Sequence, residues 1–165
     1  MNPELGGGSL LDVGVYVISF ASMIFQKFPV ETVGVGHIGD WGSDEQGIAV
    51  LKYGNGEIAD LSFALRTAAV NEAYIFGTEG YIKIEDVFAV PTRASLFINK
   101  AEAEVLEEPI IGNALNYEAE EVMRCLRAGL KESPLMPLDE SIQIMEIMDN
   151  LRKPWGLVYS NNHKQ

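Results

Sequence analysis

The 165 residues carry 24 Asp and Glu against 12 Lys and Arg, a formal charge of −12, which argues against a nucleic-acid partner because phosphate-backbone sites need clustered cations. With 47% hydrophobic residues and a mean hydropathy near zero, the chain is expected to form one globular domain, 1–165, long enough to bury a core. Cys125 is the single cysteine, so no intrachain disulfide can form, which fits a reducing cytoplasm.

The acidic start, Met1-Asn2-Pro3-Glu4, lacks the basic stretch of an export signal. The uncharged run Val13 to Phe25 is too short for a bilayer that needs about 20 apolar residues, so no membrane association is expected. Gly6, Gly7 and Gly8 lead into a helix predicted to begin near Ser9 and to end near Lys27, with Pro29 as a stop and the lysine at the negative end of the dipole. Asp12 and Tyr16 then project from one face, a turn apart. Asp12 is the only charge between Glu4 and Lys27, which predicts a helix buried along most of its length. A buried carboxylate costs several kcal/mol unless paired, so Asp12 needs a partner. Two roles are open to it. In one, it takes support from the helix start and nearby backbone, and Tyr16 is a buried ring. In the other, the glycines let backbone approach a flat ligand, Gly14 leaves a notch, and Asp12 and Tyr16 point into a substrate site.

After Pro29 the period becomes alternating. Val30 to Ile38 and Gly47 to Tyr53 are predicted strands, and Gly54-Asn55-Gly56 supplies positive φ for a hairpin. On its second arm Ala59, Leu61, Phe63 and Leu65 should face the core while Ile58, Asp60, Ser62, Ala64 and Arg66 face away. Asn71 to Phe76 and Tyr81 to Glu85 form the next pair, with Ile82 and Ile84 inward and Lys83 and Glu85 outward; Ala94 to Asn99 and Ala103 to Leu106 form the last. Gly34-Val35-Gly36-His37-Ile38-Gly39 matches a dinucleotide fingerprint in letters. Such a fingerprint must close a strand and open a helix, and here turn residues and another strand follow.

Two helices close the chain. Leu115, Ala119, Val122, Leu126 and Leu130 form the stripe of the first, with Gly129 weakening its last turn. Asp139 is the predicted N-cap of the second, whose stripe is Ile144, Met145, Met148 and Leu151. Cys125 and the methionines read as core. His37 and His163 lack the closely spaced partners of a zinc site, so no metal is expected; Asn161 to Gln165 is expected to fray. The order of elements predicts an α+β fold, a largely antiparallel open-faced sheet with helices packed on one face. Arg66 ends a strand, where it can be solvated or clamp a polar substrate group.

The stretch from Gly6 to Tyr16 resembles the GGG-x-x-x-D-x-G-x-Y/H segment of the Gfo/Idh/MocA family of NAD(P)-dependent oxidoreductases, in its tyrosine-bearing dihydrodiol dehydrogenase and glucose–fructose oxidoreductase branch. Phe76-Gly77-Thr78-Glu79-Gly80-Tyr81-Ile82, Tyr117-Glu118-Ala119-Glu120-Glu121-Val122 with Gly129, and Met148-Asp149-Asn150-Leu151-Arg152 with Gly156-Leu157-Val158-Tyr159 resemble later family segments. Neither the family's Rossmann domain nor its Glu-Lys-Pro motif occurs here.

The resemblance implies a C-terminal substrate-binding and dimerisation domain whose N-terminal dinucleotide domain is absent from these residues. It implies hydride transfer between nicotinamide and a sugar or diol, with Tyr16 as acid–base, Asp12 orienting substrate, Gly7 and Gly8 near the nicotinamide, and Arg66 a substrate contact. NAD or NADP would serve the full-length protein, and this chain alone is expected to be inactive and to bind neither tightly. A homodimer through the open sheet face is expected, since family members often pair there. The alternative is a non-catalytic dimerisation or binding module of the same fold.

Overall fold

The computed structural model describes residues 7–85 and 87–158. The early residues of the glycine segment, Tyr159 and the C-terminal tail with His163 lie outside the described residues. The described residues fall into two compact units, one made of those up to Thr67 and from Met136 onward, the other of Ala68–Leu135. Both are built from antiparallel strands and helices, as the α+β expectation required, with the strands divided between two sheets.

In the first unit a π-helical turn, Leu10–Gly14, runs directly into α1, Val15–Phe25. Gln26 ends it in the left-handed conformation, its N–H bonded to the Ser22 carbonyl. The helix thus stops before Lys27, whose ammonium serves Glu57, at 2.5 Å, instead of the last turn. Three strands follow in the order β1 (Glu31–Ile38), β2 (Asp44–Lys52) and β3 (Ile58–Ala64). The predicted hairpin joins β2 to β3, and among its residues only Gly56, at φ +93°, needs the left-handed region.

Alternation sorts this sheet as expected within its strands, while Leu65, expected on the core face, lies past β3 and is exposed. Ala49, Leu51, Ala59 and Phe63 are buried, while Asp60 and Ser62 are exposed. Onto the buried side pack Leu10, Ile18, Ala21 and the Ile144, Ile147, Met148 and Leu151 stripe of α3 (Leu138–Arg152). Two expectations for α3 change. Pro137, not Asp139, precedes the helix as its cap, since its carbonyl already accepts the Glu140 and Ser141 N–H groups. Ile147 replaces Met145 in the stripe, and Met145 is exposed. Gly34 and Gly36 explain the false fingerprint. A Cβ on Gly34 would stand 2.7 Å from Leu151, and one on Gly36 2.5 to 2.7 Å from the Trp155 ring, so these glycines admit α3 and its sequel onto β1.

The second unit holds β4 (Ala73–Phe76), β5 (Gly80–Ile84), β6 (Arg93–Ile98) and β7 (Ala101–Glu107), paired in that order. The expected inward Ile82 and outward Lys83 are not found. Ile82 is exposed, whereas Lys83 is held by Glu72 at 3.0 Å beneath Tyr74. Its face carries an aromatic ladder in which Tyr81 stacks on Phe97 at 4.7 Å between centroids and on the same side meets Phe76 and Tyr74. Rings on neighbouring strands cover one another there, so polar–apolar alternation ceases to mark the core face.

Helix α2 spans Leu115–Arg127. Of its predicted stripe, Leu115, Ala119, Val122 and Leu126 are exposed, and Cys125 is the buried position. Gly129 lies past the helix at φ +70°. The Leu130 N–H bonds the Cys125 carbonyl and the Gly129 N–H that of Leu126, a Schellman termination that needs glycine there. No described helix is long and apolar enough to cross a membrane.

Candidate active site

The buried carboxylate that the glycine-led helix requires is Asp44, not Asp12. Asp12 is exposed, and Tyr16 is 58% exposed. Met23, further along the helix, is exposed too, so the expected burial does not hold. An exposed carboxylate keeps its hydration and requires no partner to be tolerated. The expectation of a buried Tyr16 ring is overturned with it.

Asp44 is fully buried at the start of β2. It accepts from the Ser9 hydroxyl at 2.8 Å and from the Leu10 N–H at 2.6 Å. Ser9 has helical dihedrals and makes no side-chain cap of its own. The Leu10 N–H and the Ser9 hydroxyl at the helix start are therefore served from a strand far along the chain. Gly8 is explained by the same contact, because a Cβ there would run into the Asp44 carboxylate. Gly7 has φ +23°. Gly14 leaves no notch between Asp12 and Tyr16. It is buried, and a Cβ there would lie 3.3 Å from Phe63 and 3.2 Å from Leu10, so its smallness lets the helix lie close on β3.

Arg66 stands just past β3, exposed, and donates to Glu45 at 3.1 Å. Glu45 follows Asp44, which places Arg66 at the sheet end that receives the helix start. His37 is exposed on β1, away from the packed side. Among the described residues no cluster of His, Cys, Asp and Glu can hold a metal ion. Asp44 escaped the sequence reading because it lies in a turn-like run, Asp40-Trp41-Gly42-Ser43-Asp44-Glu45. The predicted strand begins only at Gly47, three residues on.

The arrangement is thus a helix start anchored by Asp44 with an acid and a phenol exposed to solvent. Residues 1–83 match the GFO/IDH/MocA C-terminal domain. The chain is 39% identical to trans-1,2-dihydrobenzene-1,2-diol dehydrogenase from Danio rerio, covering 96% of this chain and 49% of that one. It is 36% identical to the enzyme of that name from Mus musculus, with the same 96% and 49% coverage. The chain therefore spans about half the length of the curated relatives it matches. Among solved structures, a 3-ketoreductase from Actinomadura kijaniata in complex with NADP and TDP-benzene superposes with a TM-score of 0.74 at 25% identity, over 90% of this chain and 46% of that one. The fold of an aldose–aldose oxidoreductase from Caulobacter crescentus is also alike, with a TM-score of 0.76 at 18% identity over 89% and 45%. By its sequence match and its fold, the chain belongs to the GFO/IDH/MocA family and carries the family's C-terminal domain.

Proposed function

We propose that these residues form the single substrate-side domain of an NAD(P)-dependent oxidoreductase acting on a hydroxyl-bearing small molecule, a diol or a sugar. The observation that carries this reading is the exposed Asp12–Tyr16 face on a helix anchored from beneath. Relatives named as diol dehydrogenases and an NADP-bound ketoreductase support it.

The described residues do not fit the anchoring half of a dinucleotide. The glycines of their one fingerprint-like run face Leu151 and Trp155, and no helix opens after them. NAD or NADP would thus be held by residues outside this stretch, with Gly7 and Gly8 near its nicotinamide end, and this chain alone is expected to bind it weakly and to be inactive. Bound, the nicotinamide takes up or supplies the hydride. What falls to this chain is the proton. In the oxidative direction Tyr16 would act as the phenolate, taking the substrate hydroxyl's proton as the carbon loses hydride and becoming the phenol; in the reductive direction the Tyr16 O–H gives that proton to the substrate oxygen and becomes the phenolate again. Asp12, on the same face, accepts a hydrogen bond from a second substrate hydroxyl and so sets which carbon faces the nicotinamide. Arg66 at the same sheet end supplies donors to a polar substrate edge.

The three-stranded sheet leaves Val33, Val35, Ile48 and Ile58 exposed on its outer side, which favours a homodimer through that face. The reaction is tested by Tyr16→Phe in the complete enzyme, with trans-1,2-dihydrobenzene-1,2-diol and aldoses assayed against both cofactors. Turnover should fall about 10² to 10⁴-fold while melting and cofactor affinity stay unchanged, because the exposed ring is kept. Asp12→Asn should lower turnover less. A Tyr16→Phe enzyme with near-normal turnover would leave the alternative, a non-catalytic binding or dimerisation module.

A further inference from the structure

We propose that Asp44 is a positioning residue of this active site, setting the rotation and depth of the helix that presents Tyr16 and Asp12. The inference rests on the reading of Tyr16 as the proton shuttle. Its observations are geometric. Asp44 is fully buried, and a single oxygen, Oδ2, accepts from two consecutive residues, Ser9 through its hydroxyl and Leu10 through its backbone N–H. A bond to one residue would allow the helix to pivot about it. Bonds to a side chain and to the next backbone N–H restrict both the depth of the helix start and its rotation about the axis.

A second clamp lies further along the same helix. Gly14 seats the backbone on Phe63 of β3 and on Leu10, with no room for a methyl group to be gained without movement. Between the two clamps the chain is π-helical from Leu10 to Gly14. This wider turn shifts the angular position of every later residue relative to a regular helix. Tyr16 follows directly, so its direction depends on where the π turn is pinned. Asp44, from β2, and Phe63, from β3, pin it to the sheet from both ends.

A small rotation has a large effect. A side-chain tip roughly 5 to 6 Å from a helix axis moves about 1 Å for each 10° of rotation. A misplacement of about 1 Å can reduce rate on the order of 10²-fold. Burying a carboxylate for a bare cap would be an expensive choice, since Ser, Asn or Asp at the cap itself does that from the surface. Fixing two degrees of freedom of a reacting group accounts for the buried charge.

The experiment is a double-mutant cycle in the complete enzyme with trans-1,2-dihydrobenzene-1,2-diol. Asp44→Asn, Tyr16→Phe and the pair are compared by kcat, KM, cofactor Kd and thermal melt. Asp44→Asn should lower kcat about 10 to 100-fold with cofactor Kd unchanged, and should have a much smaller further effect once Tyr16 is Phe, that due to Asp12 alone, because a misplaced group that is already missing cannot be lost again. If Asp44→Asn lowers only the melting temperature and leaves kcat intact, or multiplies the loss of Tyr16→Phe, positioning is overturned. If Tyr16→Phe itself retains turnover, the reading of the reaction falls, and this inference with it. Should Asp44→Asn not fold, Ser9→Ala carries the cycle, since it deletes one bond and keeps the Leu10 N–H bond. It should lower kcat more in the Tyr16 background than in the Phe background; equal kcat in the first would overturn the proposal.

Discussion

Replacing Gly36 by alanine separates a packing glycine from a dinucleotide-binding one. The new Cβ would sit 2.5 Å from Trp155 Cε3 and 2.7 Å from Cδ2 and Cζ3, against an ordinary carbon–carbon approach of about 3.5 to 4.0 Å. The ring must therefore retreat by about 1 Å. It is not free to do so, because its Nε1 donates to the Gly34 carbonyl at 3.0 Å. Overpacking of this kind costs about 1 to 3 kcal/mol. Gly36 does not use positive φ, so the alanine also restricts the unfolded chain, which offsets about 0.4 to 1 kcal/mol. The net loss should be about 1 to 2 kcal/mol, or roughly 2 to 8 °C in melting temperature for a chain of this size. Circular dichroism melts of Gly36→Ala, Trp155→Ala and the double variant provide the assay. In the Trp155→Ala background the Gly36→Ala loss should vanish or reverse. Equal melting temperatures for wild type and Gly36→Ala, with additive effects in the double variant and weaker NADPH binding, would refute the argument and restore the fingerprint.

Acid should act through Glu121. Arg124 grips its carboxylate through two nitrogens at 2.7 and 2.8 Å, Ser133 adds a third donor, and together they hold it at about 2 instead of 4.5. An unfolded glutamate then takes up its proton first on acidification, so the contribution is complete above about pH 4.5 and is lost as pH falls through about 2. Between those limits the wild-type melting temperature should fall more steeply than that of Glu121→Gln, and parallel curves would contradict the assignment. Self-association is the remaining expectation. Sedimentation at micromolar concentration should show a dimer of the 18.1 kDa chain, and Val35→Lys, at a site 76% exposed, should return it to monomer; a monomeric wild type would dispose of the interface.

Local pattern was legible wherever one face meets the core. The period-2 rows of β2 and β3, the Gly54-Asn55-Gly56 hairpin and the Ile144, Met148 and Leu151 stripe were all readable from spacing alone. Spacing failed where both sides of an element are half-covered. Lys83 faces aromatic rings and acids that only the β4–β5–β6 register brings together, and its hydrocarbon stem can lie along such rings while its charge is paired. Helix α2 shows the opposite limit, a clear apolar stripe whose residues stay exposed. A stripe announces that a face is apolar and does not say what lies against it. Asp44 was illegible for a third reason. It bonds Ser9 and Leu10, and no local rule relates the first residue of a strand to a helix start so far away in sequence.

The energetics of burial assign different work to Asp44 and Asp12. A carboxyl group inside the fold must keep its hydrogen-bond partners, and Asp44, engaged with Ser9 and Leu10 and pressed against Gly8, has no approach for a ligand. Asp12 stays hydrated and can exchange a water for a substrate hydroxyl at little cost. Of the two roles weighed for one acid, support of the helix start falls to Asp44, which leaves only the proposed substrate contact to Asp12. Exposure also limits what the face can do in water, because a charge or dipole aimed at a reacting group is worth most where water is excluded. The helix start can be complete in geometry while Tyr16 and Asp12 still face solvent. On the proposed reading, excluding water from this face would raise the contribution of Tyr16 without moving a helix held by Asp44 and Phe63.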